Sequence, residues 1–414
     1  MNPLRQIEQE VLVLGREWTR LELQKRLQAQ CDEMPMECTQ TGQPLENTRW
    51  REMELDTVSG KVKLRARHGC QAQKKQWICP ARVAWGLKPY ERKTPELQAR
   101  LAYTATVVGS YVEAETMAAT WGTPVSDGCI HQQVQSLGLR AQALVLPTPG
   151  AGKFEPPFSL VIMMDGWMAR ERGADWGAGP RQKAPQRVEW REIKSAVIYR
   201  LEQRVEKASG RGLLLEKYAV ATPPETSPVE FGRRVHQEAL RRGLARAQVV
   251  YLVMDGAVWL WDLAEDRFKE AVKTLDFHHA REHLHAVAES LHGAGTPQSK
   301  EWLQGILHRL RHGQETRVVR QLEQLLESPA QRSAELQEII AREVNYFQEH
   351  EDHLQYRALE EAGAPLGSGA VESLGKQLQR RLRGCGQFWG RPGLTSLLRL
   401  SVLVKNHDHH HLWN

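Results

Sequence analysis

The chain has 414 residues, 41% of them hydrophobic and 26% charged, with 56 Lys and Arg against 50 Asp and Glu. That length suits about two to four domains, and with no run of about 18 apolar residues a membrane-spanning helix is excluded. Six cysteines in so long a chain make no disulfide framework, and residues 1–30 carry no apolar signal core, so a reducing cytoplasmic setting is expected. The net charge of +6 is mild, but its cations cluster at Arg233-Arg234, Arg241-Arg242, Lys376, Arg380-Arg381 and Arg383. Clusters of that kind suit a phosphate polymer better than a small acidic substrate.

In chain order, residues 1–30 read as an amphipathic helix. Residues 31–93 read as short strands and turns holding Cys31, Cys38, Cys70 and Cys79. Residues 94–146 return to helical spacing: one helix over 111–121, the turn Gly122-Thr123-Pro124-Val125, then Ser126 capping a second helix to about 137. This is the outline of a helix-turn-helix, with Asp127, His131, Gln132 and Gln135 placed to reach base edges. The Pro- and Gly-rich stretch 147–157 reads as a linker. Beyond it, 158–164 is a buried strand ended by Asp165-Gly166, and 175–187 a charged, Gly-rich loop. Strands over 190–201 and 213–221 flank the turn Ser209-Gly210-Arg211-Gly212 as a hairpin. Ser227-Pro228-Val229-Glu230 spells a capping box for a helix to about 242. A second buried strand, 249–254, again ends in Asp-Gly (Asp255-Gly256). A helix over 259–273, a short strand at 275–277 and helices over 280–361 follow. A last helix opens at Gly367-Ser368-Gly369 and carries Glu372. The sum is an α/β fold, a mixed sheet flanked by helices.

Two strands of one kind, each ended by Asp-Gly, carry the functional reading. Laid side by side and parallel, they bring Asp165 and Asp255 together at the carboxyl edge, where open α/β sheets bind ligands. Two carboxylates that close disfavour joint ionisation unless a cation lies between them, and hard oxygen ligands imply magnesium or manganese. Taken singly, either Asp-Gly is also an ordinary turn signal, and Glu372 an ordinary helix-dipole acid. Lys376, Arg380, Arg381 and Arg383 follow Glu372 along its helix, able to track a phosphate backbone.

These segments, with Trp190-Arg191-Glu192-Ile193-Lys194 and Leu275-Asp276-Phe277-His278-His279, resemble bacterial DDE-type insertion-sequence transposases of the ISKra-type group, distantly similar to Mutator-like transposases. The resemblance runs from about residue 96 to the C-terminus. It implies an RNase H-like catalytic core in two parts, 158–280 and 366–414, with an all-helical insertion at 281–365. It further implies catalytic and metal-binding roles for Asp165, Asp255 and Glu372 with two Mg2+ (or Mn2+) ions, and supporting roles for Asp276 and His279. The activity implied is two-metal-ion polynucleotidyl transfer: DNA strand cleavage, then attack of the freed 3′-hydroxyl on target DNA, in a bacterial, nucleoid-associated setting. The partners implied are element ends and target DNA, with a homodimer or higher oligomer in the synaptic complex. Alternatives are a DNA-binding regulator or domesticated relative, and a metal-dependent nuclease without strand transfer.

The remaining motifs stay open. His278 and Arg281 spell the His-x-x-Arg of tyrosine recombinases, but no tyrosine follows Tyr356 to serve as nucleophile. His279-Ala280-Arg281-Glu282-His283 spells an inverted metalloprotease order in a His-rich stretch where solvated histidines are equally expected. Cys31, Cys38, Cys70 and Cys79 are candidate structural Zn2+ ligands of a degenerate zinc-ribbon module, or ordinary thiols. Gln73 stands where a Cys-x-x-Cys pair would place its second cysteine.

Overall fold

A computed structural model describes residues 2–39, 41–72, 74–147, 157–179, 185–209, 212–327 and 333–413. Most of the expected linker, the tip Gly210-Arg211 and part of the 175–187 loop lie outside the described residues. The chain divides into two compact units: residues 1–144 with 409–414, and residues 145–408. Among the described residues no helix is long and apolar enough to cross a membrane.

The first unit opens with α1 (Pro3–Glu33), whose first turn is capped by the Asn2 side chain. Cys31 falls on this helix rather than in a following loop. The expected short strands are longer: β1 (Glu46–Thr57) and β2 (Gly60–Gln71) pair antiparallel as one hairpin, and β3 (Gln76–Ile78) joins the end of β2. Alternation decides what is buried. Val62, Leu64 and Ala66 of β2 pack with Met53, Leu55, Cys31 and Cys79, while Lys61, Lys63 and Arg65 face water. The free edge of β2 is occupied by side chains of α1. Gln28 accepts from the Arg65 amide and donates to its carbonyl, and Gln24 accepts from the Lys63 amide. After α2 (Pro80–Ala84) come α3 (Pro95–Val107), α4 (Tyr111–Thr120) and α5 (Asp127–Ala143), which pack on one another. Ser126 caps α5 by accepting from the Cys129 amide, and the helix runs six residues beyond the expected end at 137. The C-terminal turn His409–Trp413 belongs to this unit, with Arg140 donating to the Leu412 carbonyl.

The second unit is built on β4 (Ser159–Arg172), β5 (Val188–Arg200), β6 (Arg204–Glu206), β7 (Gly212–Leu214) and β8 (Tyr218–Thr222), then α6 (Pro228–Arg241), β9 (Val249–Met254), α7 (Val258–Arg267) and β10 (Val272–Leu275). Its mixed five-stranded sheet has the order β10-β9-β4-β5-β8. β9 runs parallel to β4 and to β10, and β5 antiparallel to both β4 and β8. The expected hairpin is thus two structures: β5 pairs with β8 in the sheet, and β6 with β7 in a separate small ribbon.

Even-numbered β4 residues, Leu160, Ile162 and Met164, pack with Phe231, Val235, Leu260 and Leu263 of α6 and α7 in one core. Each such side chain contributes about 1.5–3 kcal/mol on burial. α13 (Gly369–Leu382) and α14 (Arg391–Lys405) follow a helical segment made of α8 (Phe277–His292), α9 (Pro297–Arg311), α10 (Glu315–Glu327), α11 (Ala334–Glu349) and α12 (Tyr356–Glu361), and they pack on the sheet. The capping box at Ser227 is half made. Its hydroxyl accepts from the Glu230 amide, but the Glu230 carboxylate goes to Arg233 and Arg234. Arg241 and Arg242 likewise pair with Glu238. These two arginine clusters, read from sequence as phosphate-seeking, are engaged within their own helix.

Candidate functional site

β4 does not end at Asp165 as its apolar run suggests. It continues to Arg172 because β5 stays paired with it through Arg172↔Val188, while its parallel neighbour β9 stops at Met254. Asp165 is therefore a strand residue at the point where β4 loses one neighbour. The ladder pairs Met164 with Met254, so Asp165 and Asp255 follow side by side, on strands about 4.8 Å apart. Asp255 leaves the strand in a tight turn, its Oδ1 accepting from the Ala257 amide at 2.9 Å and its carbonyl from Trp261 Nε1 at 2.9 Å. Burial first, and the neighbouring Asp255 charge second, push the Asp165 carboxyl up to about 6; Glu372 adds in the same direction and His279 opposes. Asp165 thus senses every other acid of the expected constellation.

Glu372 lies in the first turn of α13, its Oε1 3.4 Å from the Ser368 hydroxyl and its Oε2 3.2 Å from Lys376 Nζ. What places this turn is Asp276. That side chain is fully buried and caps α8 by accepting from the His278 and His279 amides, while its other oxygen accepts from the Ser368 amide 92 residues away. The Phe277 amide donates to the Leu366 carbonyl alongside. One buried carboxylate so ties the end of β10 and the starts of α8 and α13 together. The approach needs glycine at 367, where a Cβ would stand 2.9 Å from the His278 ring.

A residue that sequence reading missed is Tyr346 of α11. Its ring lies so close over Gly256 that a Cβ there would sit 2.2 Å from a ring carbon, and it stacks on His283 with 3.8 Å between centroids. Its hydroxyl is pushed well above the usual tyrosine range by burial first and by Asp255 second. A single tyrosine on an amphipathic helix carries no sequence signal of such a place. His283 hydrogen-bonds the buried Glu343 carboxylate, and His279 stands 3.6 Å from Glu282, so the inverted metalloprotease pattern does not converge on one point. Glu192, the nearest rival acid, lies over Gly166 and pairs with Lys194 at 3.1 Å. Its alternation places it on the sheet face opposite Asp165. Among the described residues, no three His, Cys, Asp or Glu side chains already stand in metal-holding geometry.

No family model matches this sequence, and no curated protein does. Among solved structures, the chain is similar to the Drosophila P element transposase strand transfer complex: 10% identity, 76% of this chain and 92% of that chain covered, TM-score 0.34.

Of the cations after Glu372, Lys376, Arg380 and Arg383 are exposed, but Arg381 is only 4% exposed, its guanidinium 5.3 Å from the Trp389 ring. Arg381 is therefore removed from the expected phosphate-facing set. The apolar period Val371, Leu374, Leu378, Leu382 already puts position 381 on the buried side. Glu360 and Glu361 are engaged by Arg311 and Arg357. In the first unit, Asp127, His131 and Gln132 are exposed on α5; Gln135 is half-buried, with its amide 3.4 Å from the His131 ring. The four N-terminal cysteines do not form a cluster. Cys31 and Cys79 lie in the apolar core, where burial raises both thiols, Cys31 to about 11. Cys38 is buried, and Cys70 is half-buried with its thiol 3.9 Å from the Gln71 carbonyl. For Cys31 and Cys79, neutral thiols suit those surroundings better than zinc thiolates do.

Proposed function

We propose that this chain is a DDE-type DNA transposase with an RNase H-like core, and that Asp165, Asp255 and Glu372 are its catalytic acids. The observation that carries the reading is the placement of Asp165 and Asp255 each directly after the Met164↔Met254 pair of adjacent parallel strands, with Glu372 near Asp165 at the start of α13. The strand order, three antiparallel strands followed by two parallel to the first, with a helical segment before α13, supports the same core.

The donor set fits magnesium or manganese: hard carboxylate oxygens, two of them forced together so that one resists ionisation. Asp165 and Asp255 would hold the ions, joined by Glu372 once it turns from Lys376. Such ions supply polarisation of the scissile phosphodiester and of the attacking hydroxyl. The chain's own residues do the rest. Asp276 keeps Glu372 at the edge, His279 lies near Asp165 to steady a phosphate oxygen, and Lys376, freed of Glu372, meets the DNA backbone. In the first step a water oxygen bonds to phosphorus, the bond to the 3′-oxygen breaks, and that oxygen leaves as a hydroxyl. In the second step this hydroxyl attacks a target phosphodiester, so one phosphodiester bond forms as one breaks. Asp127, His131, Gln132 and Gln135 of α5 are the proposed readers of the element's ends.

The test offers purified protein a labelled duplex with a free 3′-hydroxyl, a supercoiled plasmid and Mg2+ or Mn2+. Labelled plasmid is the expected product. Nicking without joining would reduce the function to a nuclease, and binding without either reaction would leave a DNA-binding regulator. A second measurement concerns α13. Each phosphate contact releases condensed counterions, with a logarithmic salt slope of about 0.9 per contact. Arg380→Ala with Arg383→Ala should lower that slope by about two and weaken specific and random duplexes alike. An unchanged slope would remove α13 from the DNA path.

A further inference from the structure

The first two-thirds of α1 carry an apolar surface that the first unit does not use. Leu4, Ile7, Val11, Leu14, Trp18 and Leu21 are each between 50% and 69% exposed. Their spacing alternates three and four residues throughout, the a and d positions of three consecutive heptads. The seam stops where the helix meets its own sheet: the next d position is Gln28, engaged on the edge of β2, and beyond it Cys31 is buried in the core. Off the seam, at an f position, Arg16 lies against Gly122, so the opposite side of α1 is the one that faces the unit.

We propose that residues 4–21 of α1 form a coiled coil with the same segment of a second copy of this chain. A heptad seam is its own complement, because each a or d side chain fits the hole between four like residues of an identical helix. The central heptad, Val11 at a with Leu14 at d, follows the pattern that favours two strands, whereas Leu4 at a with Ile7 at d follows the one found in higher oligomers, so the two-chain state rests on the central heptad. The flanking positions are acidic, which would repel a bare copy. Of the four flanking acids, Glu17 and Glu22 are paired within the helix, to Arg20 at 2.6 Å and to Arg26 at 2.7 Å, Glu10 accepts from the Gln6 side-chain amide, and Glu8 keeps its charge at the start of the seam, so the association should strengthen with added salt. Three heptads span about 30 Å. Six knobs per chain would bury on the order of 1,000 Å2 in all, the low end for a stable interface. The inference rests on the first unit alone and is independent of the proposed catalytic acids.

Light scattering coupled to size exclusion, run on the full chain over two decades of concentration, tests it. The expected mass is that of two chains at the top of the range, falling toward 47.2 kDa on dilution. Leu14→Glu should move the midpoint about a hundredfold or more higher, because it sets two charges in the seam. Leu14→Ile should keep the dimer. Val13→Glu alters a side chain of similar exposure, 57%, at a c position, and should change nothing. Far-ultraviolet circular dichroism of each variant guards against unfolding. A wild-type chain that is monomeric throughout, or a Val13→Glu variant as disrupted as Leu14→Glu, would overturn the proposal. Asp255→Asn should leave the mass untouched even if no strand-cutting activity exists.

Discussion

Asp255→Asn and Glu372→Gln should each lower DNA strand cutting by about a thousandfold at saturating Mg2+, with binding to the same duplex unchanged within about twofold. Both substitutions are nearly isosteric; Asp255→Asn keeps its local hydrogen bond, while Glu372→Gln keeps the one to Ser368 and gives up the ion pair with Lys376. An asparagine oxygen at 255 still accepts from the Ala257 amide, and a glutamine oxygen at 372 still meets the Ser368 hydroxyl. What each removes is one negative charge from the proposed metal site. A steady-state cutting rate, with affinity measured separately in Ca2+, checks the two halves. Glu192→Gln is the control: its carboxylate faces the other side of the sheet and serves Lys194, so cutting should persist. Undiminished cutting in either Asp255→Asn or Glu372→Gln would show that this acid is not catalytic.

Asp276→Ala should cost about 3 kcal/mol of stability and at least about tenfold in cutting. The cap of α8 is lost, worth about 0.5–2 kcal/mol. The buried Ser368 amide is left without its acceptor, costing about 1–3 kcal/mol more. Because Ser368 begins the helix that carries Glu372, the acid loses its fixed approach as well. Asp276→Asn keeps one oxygen for the α8 amides but turns an NH2 toward Ser368, so about half the loss is expected. Urea unfolding read beside the cutting rate separates positioning from ligation. Were Asp276 a direct metal ligand, Asp276→Asn would abolish cutting as fully as Asp276→Ala, although it costs only about half the stability.

How far the sequence could be read depends on what each element is paired with. β9 lies between two parallel neighbours, so its six residues form one apolar run that reads directly as a strand. β4 reads correctly only as far as Met164, because beyond that point it is paired on one side and its residues turn amphipathic. β10 begins three residues and ends two residues before the strand read from the sequence, since Asp276 is used as a helix cap and not as a strand end. The acids Asp165 and Asp255 announce themselves by their place after apolar runs. The function of Asp276 does not, because its partner Ser368 is 92 residues away. Tyr346 and the half-made cap at Ser227 are likewise settled by partners in space rather than by spacing. Arg381 is different: its helical period was readable and points inward.

The unequal ends of β4 and β9 give the two aspartates unequal mechanical standing. Asp165 is clamped in a ladder that runs on for seven more residues toward Arg172. Asp255 stands at a chain reversal, held by one side-chain bond and by Trp261 on its carbonyl. One acid is then a stiff anchor and the other a compliant finger. In the proposed transfer, where the attacking oxygen changes from water to a DNA hydroxyl, small readjustments would fall to Asp255 and Glu372, while Asp165 would keep the frame of reference.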